Sequence, residues 1–174
     1  MKTKIILIML LLIFTAACSV NQPTERVIVD KDVSYGDDPL MKYDVKYKQS
    51  YENAPVIFVV HGGAEGSGDK SQSDSVTTYT DVNFVVVNIN YRYSTAEYST
   101  SHDIACAMAT FREQAKNYGA DPNNLLLQAG SAGNGRAGPI YFYPENDWLA
   151  GCPYKKDFEL KGYVSKSGFH LGES

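Results

Sequence analysis

The sequence predicts an α/β fold, a mostly parallel sheet with flanking helices. Three observations carry this prediction. Residues 56–60 (VIFVV) and 84–89 (FVVVNI) are short, unbroken runs rich in β-branched side chains, the pattern of strands buried on both faces. Within residues 99–118, Ile104, Met108, Phe111 and Ala115 recur at spacings of three and four, giving one apolar helical stripe. Residues 125–127 (LLL) then read as a further buried strand. Strand and helix in alternation imply crossover connections and hence parallel pairing.

The chain has 174 residues and a formal charge of −4. Its start reads as a targeting signal over residues 1–17. Lys2 and Lys4 are followed by an apolar run, residues 5–14, which is too short to span a bilayer as a helix. Thr15-Ala16-Ala17-Cys18 then resembles the lipobox of bacterial lipoproteins, which implies cleavage before Cys18 and lipid on its thiol. An ordinary signal peptide cut near Ala17, leaving Cys18 unmodified, is the other reading. Residues 18–25 are expected to be the lipidated cysteine and a tether, and residues 26–174 one domain. The expected location is a bacterial cell envelope, lipid-anchored, with secretion as the alternative.

Loss of Lys2 and Lys4 would make the chain still more acidic, which argues against nucleic acid or an anionic membrane surface as partner. Three widely separated histidines and no paired-cysteine motif give no metal-binding spacing, and no cofactor is expected. Thirteen tyrosines suit sugar contacts. Cys106 and Cys152 either form a bridge or remain two buried thiols; spacing alone does not choose.

Taken in order, residues 26–33 and 40–47 alternate apolar with polar and predict two antiparallel strands joined around Gly36-Asp37-Asp38-Pro39. The polar stretch 66–81 leaves room for a short helix. Thr100 or Ser101 is the expected cap of the helix over 99–118, with Asp103 in its first turn and Gly119 ending it. Residues 119–124 (GADPNN) read as a turn leading into the strand at 125. Gly133, Gly135, Gly138 and Pro139 crowd the next helix, which is expected to be short or broken. Residues 161–167 predict one more strand.

Two loops carry chemistry. In Ala129-Gly130-Ser131-Ala132-Gly133, a serine follows a strand directly and stands among small residues. A sharp strand-to-helix turn lifts such a serine clear of its neighbours, and only small flanking residues let the backbone pass. An ordinary glycine-serine loop is the plainer reading of the same stretch. His61-Gly62-Gly63-Ala64 follows the strand at 56–60, and its glycines expose backbone N–H groups suited to an oxyanion. Taken alone it is equally a glycine turn.

Together the segments VIFVVHGGAEGSGDK (56–70), VNINYRY (87–93), 103–107 and DPNNLLLQAGSAG (121–133) resemble, in sequence order, α/β-hydrolase esterases of the HGG(G) type. That branch includes feruloyl and acetylxylan esterases and carboxylesterases related to hormone-sensitive lipase. The resemblance covers about residues 40–168, with Ala129 in place of the first glycine of G-x-S-x-G. It implies Ser131 as nucleophile and the N–H groups of Gly62, Gly63 and Ala132 as oxyanion donors. It gives His61, Asn90, Tyr91, Arg92, Asp103 and Asp121 structural roles. The implied partner is a small-molecule or carbohydrate-linked ester.

The family orders its triad as serine, then acid, then histidine. Here only His170 follows Ser131, and Asp147 and Asp157 lie between them. A compressed triad would place its base on a loosely held end. The expectation is therefore an α/β-hydrolase-like domain incomplete after the sixth strand, lacking its acid and base. The function expected is a serine carboxylic-ester hydrolase, present as an N-terminal part. The alternative is a non-catalytic envelope lipoprotein that keeps the scaffold as a binding or structural module. A peptidase of the same fold is a third reading, less suited to the HGG loop.

Overall fold

The computed structural model describes residues 25–63, 66–72, 76–93, 99–154 and 157–168. The signal segment, Cys18, the tether, Ala64 and His170 lie outside the described residues.

Six strands form one sheet: β1 (Ile28–Ser34), β2 (Lys42–Tyr47), β3 (Ala54–Val60), β4 (Val85–Ile89), β5 (Ala120–Gly130) and β6 (Leu160–Lys166). Their order is β1-β2-β4-β3-β5-β6. β1 and β2 form the expected antiparallel pair, and β2 runs antiparallel to β4. β4, β3, β5 and β6 are mutually parallel. Among the described residues three α-helices accompany the sheet: α1 (Val76–Asp81), α2 (Ser99–Gln114) and α3 (Gly133–Phe142).

Period-two alternation divides the apolar runs between the two faces. Val56, Phe58, Val60, Leu125 and Leu127 join the main core with Ile104, Met108 and Phe111 of α2. Ile57, Val59 and Val86 face the other way, packed with Tyr79 of α1, Phe84 and Leu126. The continuous runs therefore reflect coverage on both sides. Cys106 of α2 and Cys152 are bridged, with Cα atoms 5.5 Å apart, which resolves the open choice in favour of a disulfide.

Three local expectations are corrected. Thr100 and Ser101 do not cap α2, which begins at Ser99. Their hydroxyls instead donate to the carbonyls of Arg92 and Arg136, tying the helix to its neighbours. Asp103 lies beyond the first turn and serves Arg92. The turn residues 121–124 lie inside β5, as an irregularity between the pairs Ala54↔Ala120 and Val56↔Leu125. The Asn123 N–H donates to Asp121 Oδ1 at 2.9 Å, so the local turn chemistry is kept within the strand.

The third concerns α3, which is short, ten residues, but not broken: it runs on with Pro139 inside it. The bond that proline forgoes would have ended on the Gly135 carbonyl, and Gly135 faces solvent, where water can replace it. Gly119 behaves as expected. Its φ of 65° ends the 3-10 turn Ala115–Tyr118 that extends α2.

Candidate active site

Parallel pairing brings the carboxyl ends of β3, β4, β5 and β6 to one edge of the sheet. The glycine loop leaves β3 there, Asn90-Tyr91-Arg92-Tyr93 leaves β4, and Ser131 leaves β5. In open α/β sheets this edge is where ligands bind.

Ser131 sits between β5 and α3 with φ of 48° and is exposed to solvent. A serine at positive φ is uncommon and marks a backbone held under strain by its surroundings. Those surroundings are visible. The Ser131 N–H donates to the Lys166 carbonyl of β6 at 2.8 Å. The Ser131 carbonyl accepts the Asn134 N–H at 3.0 Å and the Asn134 side-chain amide at 2.9 Å. Tyr163 of β6 donates to Asn134 Oδ1 at 2.8 Å, completing a brace around the turn.

The glycine loop lies directly against this corner. A Cβ on Gly62 would stand 2.9 Å from the Gly130 carbonyl oxygen and 3.0 Å from Ser131 Cβ. A Cβ on Gly133 would stand 2.5 Å from the His61 carbonyl oxygen, so the start of α3 touches the loop where it leaves β3. Gly63, at φ of 124°, abuts the Ser67 carbonyl. Gly62 and Ser131 are thus in contact, with Gly63 and Ala132 next to them in the chain. Ala132 opens α3 as its N-cap, and Gly62 and Gly63 are half-buried.

His61 points away from a role as base. It is buried beneath the loop, its Nδ1 donates to the Gly62 carbonyl at 2.6 Å, and its ring stacks on Tyr91 at 4.4 Å. Burial lowers its pKa, against the opposing pull of the Gly62 hydrogen bond, so neutral imidazole is favoured. The Tyr91 hydroxyl donates to the His61 carbonyl at 2.7 Å, and Tyr93 donates to the Gly68 carbonyl. Asn90 accepts the Lys70 N–H at 2.6 Å and donates to Asp69 at 2.8 Å. Lys70 in turn bridges Asp32 at 3.0 Å and Asp44 at 2.8 Å, anchoring the far end of the loop on β1 and β2. Arg92 grips Asp103 through Nε at 2.9 Å and Nη2 at 2.6 Å, raising the guanidinium pKa further.

Two residues in this assembly escape a reading of the sequence. Asn134 is short, polar and near a helix start, a pattern that suits local hydrogen bonding, but its role depends on β6. Arg136 stands out in sequence only as a charge where the esterases that this chain resembles usually bury an aliphatic residue.

The compressed triad does not assemble from the described residues. The Asp157 carbonyl accepts from Arg112, whose Nε donates to Pro122 at the amino end of β5. Residues 125–130 separate that end from Ser131, about 20 Å of strand. Asp147 lies exposed beyond α3. Among the described residues no group of three His, Cys, Asp or Glu is placed to hold a metal ion.

Comparison with known proteins agrees with this fold. The BD-FAE family model matches residues 44–138. A probable carboxylic ester hydrolase, LipM, of Mycobacterium tuberculosis is 30% identical over 112 residues, 60% of this chain and 26% of that protein. Gut esterase 1 of Caenorhabditis briggsae is 26% identical over 164 residues, 86% of this chain and 28% of that protein. Among solved structures, esterase B of Lactobacillus rhamnosis superposes with a TM-score of 0.70 at 18% identity, covering 96% of this chain and 56% of that one. A bacterial heroin esterase gives a TM-score of 0.63 at 18% identity, covering 91% and 49%. The chain spans about a quarter of the length of the curated relatives it matches and about half that of these esterase structures. With the family model covering more than half of its length and a sheet that superposes on α/β-hydrolase esterases, the chain belongs to the BD-FAE family.

Proposed function

We propose that this chain carries the nucleophile and oxyanion machinery of a serine carboxylic-ester hydrolase. Ser131 Oγ attacks the ester carbonyl carbon, the carbonyl oxygen becomes an oxyanion on the N–H groups of Gly62, Gly63 and Ala132, and the C–O bond to the alcohol breaks. The serine proton passes by way of a histidine base to the departing alcohol. Water then attacks the acyl-serine, releasing the carboxylic acid and restoring Ser131. The acid and base belong to sequence outside the described residues. The substrate class is a small-molecule or carbohydrate-linked ester.

The observation that carries this reading is the contact between Gly62 and the strained, exposed Ser131. Two loops separated by a whole crossover unit are held with no room for a methyl group between them, which an incidental serine turn does not require. A form of the protein that includes the acid and base should hydrolyse p-nitrophenyl acetate, and Ser131→Ala should return its rate to that of buffer. Equal rates for the two proteins would overturn the assignment.

A second reading is a non-catalytic module on the same scaffold. What favours it is that no carboxylate–histidine pair accompanies Ser131 among the described residues. Well-folded protein that neither hydrolyses esters nor reacts with a serine-directed phosphonate would support it. We also propose export to a bacterial cell envelope through lipid on Cys18, with secretion as the alternative. The Cys106–Cys152 bridge supports an oxidising compartment for the domain.

A further inference from the structure

Arg136 lies on α3, five positions beyond Ser131, and its Nη1 donates to the Tyr91 hydroxyl at 2.8 Å. Its guanidinium carbon stands 5.2 Å from the Tyr91 ring centroid. His61 stacks on the same ring, with planes 11° apart. Tyr91 is fully buried, and its hydroxyl passes the contact on by donating to the His61 carbonyl. His61 fixes Gly62 through its Nδ1, and Gly62 abuts Ser131. The path closes on itself: it leaves the serine turn along α3, crosses Tyr91 and returns to the serine through the glycine loop. The Arg136 backbone is fixed separately, its carbonyl accepting from Ser101 of α2 at 2.6 Å.

We propose that Arg136 is a positioning residue, acting through Tyr91 to hold the His61–Gly63 loop at the distance from Ser131 that the oxyanion requires. It touches neither substrate nor reacting atoms. An aliphatic side chain would fill the space but would leave the Tyr91 hydroxyl without its charged donor. The bond is charge-assisted and half-buried, a setting in which such bonds hold geometry well. This inference rests on the esterase reading of Ser131 and the glycine loop.

The test compares wild type, Arg136→Met, Arg136→Lys and Tyr91→Phe in two measurements on the full chain. One is the second-order rate of Ser131 labelling by a fluorophosphonate. The other is amide hydrogen exchange, read separately for residues 61–63 and for β5. Arg136→Met and Tyr91→Phe should slow labelling by about tenfold or more, the scale of one lost charge-assisted hydrogen bond. Exchange at 61–63 should quicken while β5 keeps its protection. Arg136→Lys, which retains a charged donor, should recover much of both.

A merely structural arginine would instead quicken exchange across β5 as well, and lysine would not rescue the loop selectively. Labelling and loop exchange unchanged in Arg136→Met would overturn the inference. Absence of labelling in wild type would refute the esterase reading alone, since exchange at 61–63 still decides whether Arg136 holds the loop.

Discussion

Gly133 and Gly135 are two residues apart on α3 and face opposite demands. A methyl group at 133 would meet the His61 carbonyl oxygen at 2.5 Å, whereas one at 135 would meet nothing within 4 Å. Gly133→Ala should therefore destabilise by about 1–3 kcal/mol, through strain between α3 and β3. Gly135→Ala should stabilise by about 0.5–1 kcal/mol, by removing backbone freedom from the unfolded chain. Urea denaturation of the two variants checks both signs; equal effects would contradict the packing described.

His61 adds a pH dependence. Burial holds its folded pKa below the unfolded value, so above about pH 6.5 the ring is neutral in both states and costs nothing. As the pH falls through that value the unfolded chain takes up the proton first, and stability declines until the folded ring also protonates. The melting temperature should fall more between pH 7.5 and 5.5 in wild type than in His61→Gln. The residues of the serine corner were legible in sequence because close approach and positive φ leave a signature of small residues. Arg136 was legible only as an anomaly, since its partner Tyr91 lies 45 positions away and nothing local encodes the pairing.

At the level of elements, the disulfide staples α2 to the segment that follows α3. That segment brings Trp148 and Leu149 into the main core, and its Trp148 carbonyl lies 3.0 Å from His102 Nδ1. The sequence separation of 46 residues corresponds to about 4 kcal/mol of loop-closure entropy in the simplest chain model. Cys106→Ser/Cys152→Ser protein should melt well below the oxidised form, and addition of dithiothreitol should not shift the double variant further. Strand positions were legible because β-branched runs and two-sided burial coincide in a parallel sheet. The continuity of α3 was not, because glycine and proline propensities describe an isolated helix, whereas α3 is held by β3, β5 and α2. The pairing of Cys106 with Cys152 was equally hidden, since it depends on a distance that only the packed helices set.

For the molecule as a whole, the sheet edge at β6 is the consequential feature. Among the described residues β6 pairs with β5 alone, and Val164 on it is 38% exposed. Phe142 and Tyr143 are 52% and 47% exposed at the end of α3, with the Phe142 ring 5.6 Å from that of Tyr163 on β6. An unpaired strand beside apolar rings is a template for association. The chain should self-associate as its concentration rises, and Val164→Lys should suppress this in light scattering. A monomer with a sharp cooperative melt would contradict that expectation.

The central claim is that Ser131 is a nucleophile presented to an oxyanion site. The most direct measurement is mass spectrometry of peptides from protein treated with a fluorophosphonate. One adduct, on the peptide containing Ser131 and absent from Ser131→Ala, is the predicted result. Folded protein that stays unmodified, or an adduct that survives Ser131→Ala on another residue, would contradict it.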